Sequence, residues 1–139
     1  MTAIERDLDN LNRIAKKCIE LYSLIYNVKL KIPEVRINNR LKISKYRGMT
    51  LAQYKHENLI IEVSPNIVEY FKTEGLKESK IMDTILDVLI PHEVAHSIVD
   101  QLFSKIVKRH HGKEWKSVAY DIGVLNPSPH IYFHNIKRN

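Results

Sequence analysis

"IPHEVAH", Ile90 to His96, sets two histidines four residues apart with a glutamate directly after the first. On a helix, residues four apart share a face one turn apart. His92 and His96 can therefore aim ring nitrogens at one point, and zinc takes such nitrogens at about 2.0–2.1 Å. Glu93 lies three residues before His96, so its carboxylate flanks that point. Two neutral ligands and a carboxylate able to take a proton from activated water are the donor set of a metallohydrolase. The same letters also describe a plain helix with two hydrogen-bonded histidines and a solvated glutamate. A third ligand decides between them.

Pro91 precedes the pair. A proline inside a helix removes one backbone hydrogen bond and clashes with the carbonyl four residues back, here Asp87. The helix either kinks across Asp87–Pro91 or restarts with Pro91 in its first turn. Asp100 shares the face but lies eight residues from His92, about 12 Å along the axis. That is too far for a shared ion, so Asp100 reads as an outlying hydrogen-bond acceptor or a surface charge. The third ligand must come from another element, and "RHHGKEWK", Arg109 to Lys116, supplies candidates. Gly112 permits a close backbone approach or a left-handed conformation, and a new helix begins at Lys113. His111, beside the glycine, is the first choice and His110 the second. Glu114 is a weaker carboxylate candidate, and Trp115 reads as a core anchor.

Outward from this centre, the pattern predicts helices at about 65–74, 79–108 and 113–122. Ser64 and Pro65 start the first as N-cap and first helical residue, and Gly75 ends it. Between Pro33 and Ser64 the chain breaks into short β-branched or aromatic pieces, "EVRINNRL", "MTLAQYK" and "NLIIEVS", split by turn residues. Such short connections predict antiparallel pairing, with strands at about 34–64. At the N-terminus Thr2 and Glu5 form a capping box. Apolar residues then recur at Ile4, Leu8, Leu11, Ala15, Cys18, Tyr22 and Ile25, which predicts an amphipathic helix over about 2–27 with Cys18 in the core. The tail, 123–139, reads as irregular. The expected fold class is α+β, one domain over 1–139: a small antiparallel sheet packed on the HExxH helix, with an N-terminal amphipathic helix.

A chain of 139 residues, 44% of them hydrophobic, can bury a core without staples. One cysteine excludes an internal disulfide and a cysteine-based zinc ribbon. The polar start "MTAIERDLDN" has no signal-peptide pattern, and no apolar run is long enough to span a bilayer. The expected location is cytoplasmic, with association to the nucleoid or other DNA. The net charge of +6 favours anionic partners. It is concentrated in Lys29, Lys31, Arg36, Arg40, Lys42, Lys45 and Arg47, against Glu34 alone, and again in Lys105, Lys108 and Arg109. These are the candidate nucleic-acid contacts; the plainer alternative is solvated surface.

"PHEVAH" followed at this spacing by "HGKEWK" resembles the SprT-like family of zinc metalloproteases, as do "NNRLKISKYRGMT" and "NLIIEVSPNIV" before them. That family includes bacterial SprT proteins and the eukaryotic Spartan proteases that degrade proteins crosslinked to DNA. The resemblance covers roughly Ile32 to Ile122. It implies a minimal metalloprotease domain with His92, His96 and His111 as ligands to one zinc per chain and Glu93 as general base. It implies DNA repair as a setting and DNA-bound protein as substrate. Many relatives also carry a C-terminal zinc ribbon with paired cysteines; this sequence shows none, which leaves the DNA-binding role of that ribbon to the basic segment at 29–47.

The expected chemistry is peptide-bond hydrolysis, with an extended peptide pairing on the strand around Leu59–Val63. For the additional donor that a developing oxyanion needs, Tyr132, His134 and Tyr120 are available, with His130 ahead of them. The alternative is a DNA-binding protein whose zinc is structural and whose peptidase activity is absent or suppressed. Structural sites are closed by four protein ligands, whereas catalytic sites keep one position open.

Overall fold

A computed structural model describes residues 2–41, 52–103 and 112–124. The N-terminal helix comes in two pieces, α1 (Ala3–Arg6) and α2 (Leu8–Tyr26). Thr2 caps the first, its hydroxyl accepting the Glu5 N–H at 3.2 Å, and the chain turns at Asp7 before helicity resumes. The apolar stripe of α2 buries Leu11, Ala15, Cys18, Ile19 and Tyr22. Asn27 ends it in the left-handed conformation (φ 53°), which asparagine tolerates better than most residues.

Three strands follow: β1 (Glu34–Ile37), β2 (Ala52–Lys55) and β3 (Ile60–Val63). They pair in the order β1-β3-β2. β2 and β3 are an antiparallel pair, with Tyr54 opposite Ile61. β1 lies parallel to β3, with Val35 opposite Ile61. The sheet is therefore mixed, and the expectation of a wholly antiparallel sheet is corrected. The reason lies in β3, where consecutive residues Ile60 and Ile61 are both buried. A strand covered on both faces belongs at the centre of a sheet. Once β2 holds one edge of β3 through a short antiparallel connection, β1 takes the other. The same order removes β3 as a docking edge for peptide, because both its edges are in use.

β1 is held on its outer side by a side chain. The Asn12 carboxamide accepts the Val35 N–H (2.8 Å) and donates to the Val35 carbonyl (3.1 Å). It thus supplies both bonds that a neighbouring strand would make.

After β3 come α3 (Ile67–Thr73), α4 (Glu78–Thr84), one π-helical turn over Ile85–Leu89, α5 (Ile90–Phe103) and α6 (Lys113–Asp121). Helix α3 starts two residues later than expected, and Ser64 helps at its entrance by accepting the Asn66 N–H at 3.3 Å. The long helix expected over 79–108 is instead α4, the π turn and α5 in succession, and residues 104–108 lie outside the described part. Pro91 accounts for the break. A regular helix would set its ring against the Asp87 carbonyl. The chain widens first, with the Ile90 N–H donating to the Ile85 carbonyl five residues back, and α5 restarts with Pro91 as its second residue. Single π turns of this kind recur at functional sites.

α5 is the buried centre of the fold. α2 packs along it, α6 against it, and β2 beside it. Burial runs nearly all round its first half, from Ile90 to Ala95. Two polar ties fix its second half. The Tyr54 hydroxyl donates to Asp100 Oδ2 at 2.8 Å. The Gln101 carboxamide pairs with the backbone of Lys31, accepting its N–H (2.8 Å) and donating to its carbonyl (2.9 Å). Asp100 thus serves the β2–α5 junction, as an acceptor away from the histidine pair.

Asn12→Ala removes both bonds to Val35 and leaves the edge of β1 unsatisfied. The expected loss is about 2 kcal/mol, read from urea unfolding. Asn12→Asp, which keeps only the acceptor, should fall between that variant and the wild type.

Candidate metal centre

Helix periodicity and the π turn together determine where the motif points. α5 restarts at Ile90, so His92, Glu93 and His96 all fall within its first two turns, where α5 is most enclosed. His92 is 5% exposed and Glu93 6%, while His96 is half-buried. One potential ligand atom from each lies within 4.8 Å of the other two. The imidazole centroids are 5.2 Å apart at an interplanar angle of 66°. This is the convergence that the four-residue spacing predicts.

Glu93 is the unusual member. A buried carboxylate is normally hydrogen-bonded or paired with a positive charge, but Glu93 Oε2 has no hydrogen-bond partner among the described residues. Burial alone pushes its carboxyl up from the ordinary 4.5 to about 8. Near neutral pH the carboxyl in such surroundings stays protonated unless a cation arrives to offset the charge. Two converging imidazoles suit a divalent cation such as zinc, with the uncommitted carboxylate oxygen beside them.

Trp115, from α6, forms one wall of this site. The indole is fully buried. Its centroid lies 4.7 Å from that of His92 in an edge-on arrangement and 5.5 Å from that of His96, nearly stacked at 28°. Its Nε1–H donates to the His92 carbonyl at 3.3 Å. Read from sequence, Trp115 was only a core anchor for α6. The available signal was its position three residues after Gly112 in a chain with one tryptophan.

The other expected site residues divide by position. His111, its alternative His110, and His130 lie outside the described residues, with Tyr132 and His134. So do Lys42, Lys45, Arg47, Lys105, Lys108 and Arg109. Gly112 caps α6 in an extended conformation (φ −75°, ψ −170°), so the left-handed option is not used. Glu114 is half-buried and outside the histidine–glutamate cluster, and Tyr120 is 63% exposed on α6. Lys29, Lys31, Arg36 and Arg40 are exposed. Arg36 is engaged by Glu34, Nη2 to Oε2 at 2.8 Å, which reduces what it can offer an anion. Among the described residues no helix is long and apolar enough to cross a membrane.

Comparison with known proteins identifies a family. The model of the SprT-like family matches residues 15–134. Protein SprT of Pasteurella multocida (strain Pm70) is 28% identical over 127 residues, 88% of this chain and 66% of that protein. Protein SprT of Vibrio parahaemolyticus (serotype O3:K6) is 28% identical over 105 residues, 76% of this chain and 52% of that protein. Protein SprT of Pseudomonas fluorescens (strain Pf-5) is 26% identical over 131 residues, 94% of this chain and 68% of that protein. The chain thus spans about half to two thirds of the length of these curated relatives. No solved structure gives a significant match.

The raised Glu93 carboxyl makes the metal-stripped protein sensitive to pH. An unfolded chain releases this proton near 4.5 and the folded chain only near 8, so deprotonation favours unfolding across that window. Stability should fall as pH rises through it, by up to about 1.4 kcal/mol per unit. Glu93→Gln should remove that part of the fall in urea unfolding of chelator-treated samples.

Proposed function

Because this chain belongs to the SprT-like family, we propose that it is a zinc-dependent endopeptidase whose substrates are proteins bound or crosslinked to DNA. The observation that carries this reading is the buried convergence of His92, Glu93 and His96 with a carboxylate oxygen left uncommitted. Zinc, when bound, supplies Lewis acidity, polarising a carbonyl and lowering the pKa of water towards 7.

The chain's own residues divide the rest of the work. His92 and His96 hold the ion as neutral ligands, and His111 is the proposed third. His111 immediately precedes the cap of α6, the helix that lies against both histidine rings. Glu93 sits one turn from His96 and accepts the proton of the attacking water at its free oxygen, then passes it to the leaving amine. Glu93 is only 6% exposed, so that exchange takes place largely screened from bulk water.

The peptide has an edge available on β2. Among the described residues no strand pairs with the outer side of β2, and Tyr54 ties that strand to α5 through Asp100. Backbone pairing there would bind an extended segment with little demand on its side chains. For DNA the reading relies on the net charge and on exposed Lys29, Lys31 and Arg40, with His130 as the proposed additional donor at the scissile carbonyl.

The test combines zinc content with cleavage of a protein substrate, with and without single- or double-stranded DNA. The wild type should hold one zinc per chain and cleave; chelation should abolish cleavage and added zinc restore it. Glu93→Gln should keep the metal and lose about 10²–10⁴-fold in turnover. Zinc retained with no Glu93-dependent cleavage under any condition would favour a structural zinc in a DNA-binding protein instead.

A further inference from the structure

We infer that Trp115 is a positioning residue for the metal site, holding both imidazoles in ligating orientation before any ion arrives. This rests on the metal-centre reading above.

A helix fixes where a histidine's Cβ lies, but the ring still turns about its two side-chain torsions. An ion needs those turns restricted, and hydrogen bonds to the ring usually restrict them. Whatever else holds them, one indole here restricts both rings by contact. It stacks near-parallel on His96, at 28°, and meets His92 edge-on, at 61°. Offset-stacked and edge-to-face arrangements are the two that aromatic quadrupoles favour, so each imidazole is held in a preferred but different way. A turn of either ring would break its contact.

The indole is itself restrained. Complete burial leaves it no room to swing, and its N–H donates to the His92 carbonyl. That acceptor belongs to the backbone of one of the two residues being positioned. The indole is therefore referenced to α5 and to its own helix together. The remaining buried face of α6, at Val118, Ala119 and Ile122, joins the general apolar core. Trp115 belongs to that core as well, and it touches both imidazoles. It also sets how α6 meets α5, and α6 is the helix that opens directly after the proposed third ligand, His111.

The experiment uses the full chain stripped of metal, with cobalt(II) as the probe, its visible absorption reporting binding. Wild type, Trp115→Phe and Val118→Ala are compared, with circular dichroism and urea unfolding on the same samples. Trp115→Phe keeps an aromatic face but removes the N–H and part of the stack. It should remain folded and bind cobalt about 10- to 100-fold more weakly, the usual cost of losing a group that orients a ligand. Val118→Ala weakens the packing of the same helix and should bind cobalt as the wild type does. In the wild type, Trp115 is the chain's single tryptophan, and its emission should be quenched in step with the growth of the cobalt band.

Equal affinity in wild type and folded Trp115→Phe would overturn the inference while leaving the metal site standing. So would an equal loss in Val118→Ala, which would reduce Trp115 to packing. If Trp115→Phe does not fold, the wild-type emission decides: a cobalt band without quenching overturns the contact. Absence of cobalt binding by the wild type would bring down the metal-centre reading itself.

Discussion

The structure depends on a carboxylate buried where nothing in the described fold balances its charge. Glu93 sits in the most enclosed stretch of α5, and one of its oxygens has no hydrogen-bond partner there. A site of that kind costs stability unless it gains a proton or a cation. Evolution for stability alone would place an amide or an apolar residue at such a position. Two imidazoles whose nitrogens lie within 4.8 Å of the same carboxylate supply the reason for the exception, since strain of this sort collects at functional sites.

Much of the remaining architecture holds α5 at this position. The π turn resolves the conflict between Pro91 and the Asp87 carbonyl, so that regular α-helix resumes just before the ligands. Behind α5, α2 carries the apolar stripe and also Asn12, which holds β1 in the sheet. At the far end Tyr54–Asp100 and Gln101–Lys31 bind α5 to β2 and to the segment before β1. Trp115 closes the histidine side. The site is thus carried on a rigid, buried helix, which is where geometry can be kept within the tolerance that metal binding demands.

What could be read beforehand follows from the range of each interaction. His92, Glu93 and His96 lie within a turn and a half, so helix geometry alone predicts their convergence. The core stripe of α2 and the hydroxyl cap at Thr2 were legible for the same reason. The sheet departs from the antiparallel expectation because short connections alone do not dictate which strands pair. The doubly buried pair Ile60–Ile61 carried the opposite signal, that β3 is central, and β1 therefore lies parallel to it. The Asn12 bridge to Val35 and the contact of Trp115 with both histidines each span 23 residues or less in sequence but join separate elements. No periodicity reports such contacts. The burial of Glu93 was likewise invisible, because a glutamate in a helix is solvated by default.

The most direct test of the central claim is zinc K-edge X-ray absorption on the purified, zinc-loaded protein. A centre built on His92 and His96 predicts a first shell at about 2.0–2.1 Å with the outer-shell scattering of at least two imidazoles, reduced by His96→Ala. A shell of oxygens only, without imidazole scattering and unchanged by that substitution, would mean that zinc binds elsewhere on the protein and would contradict the account.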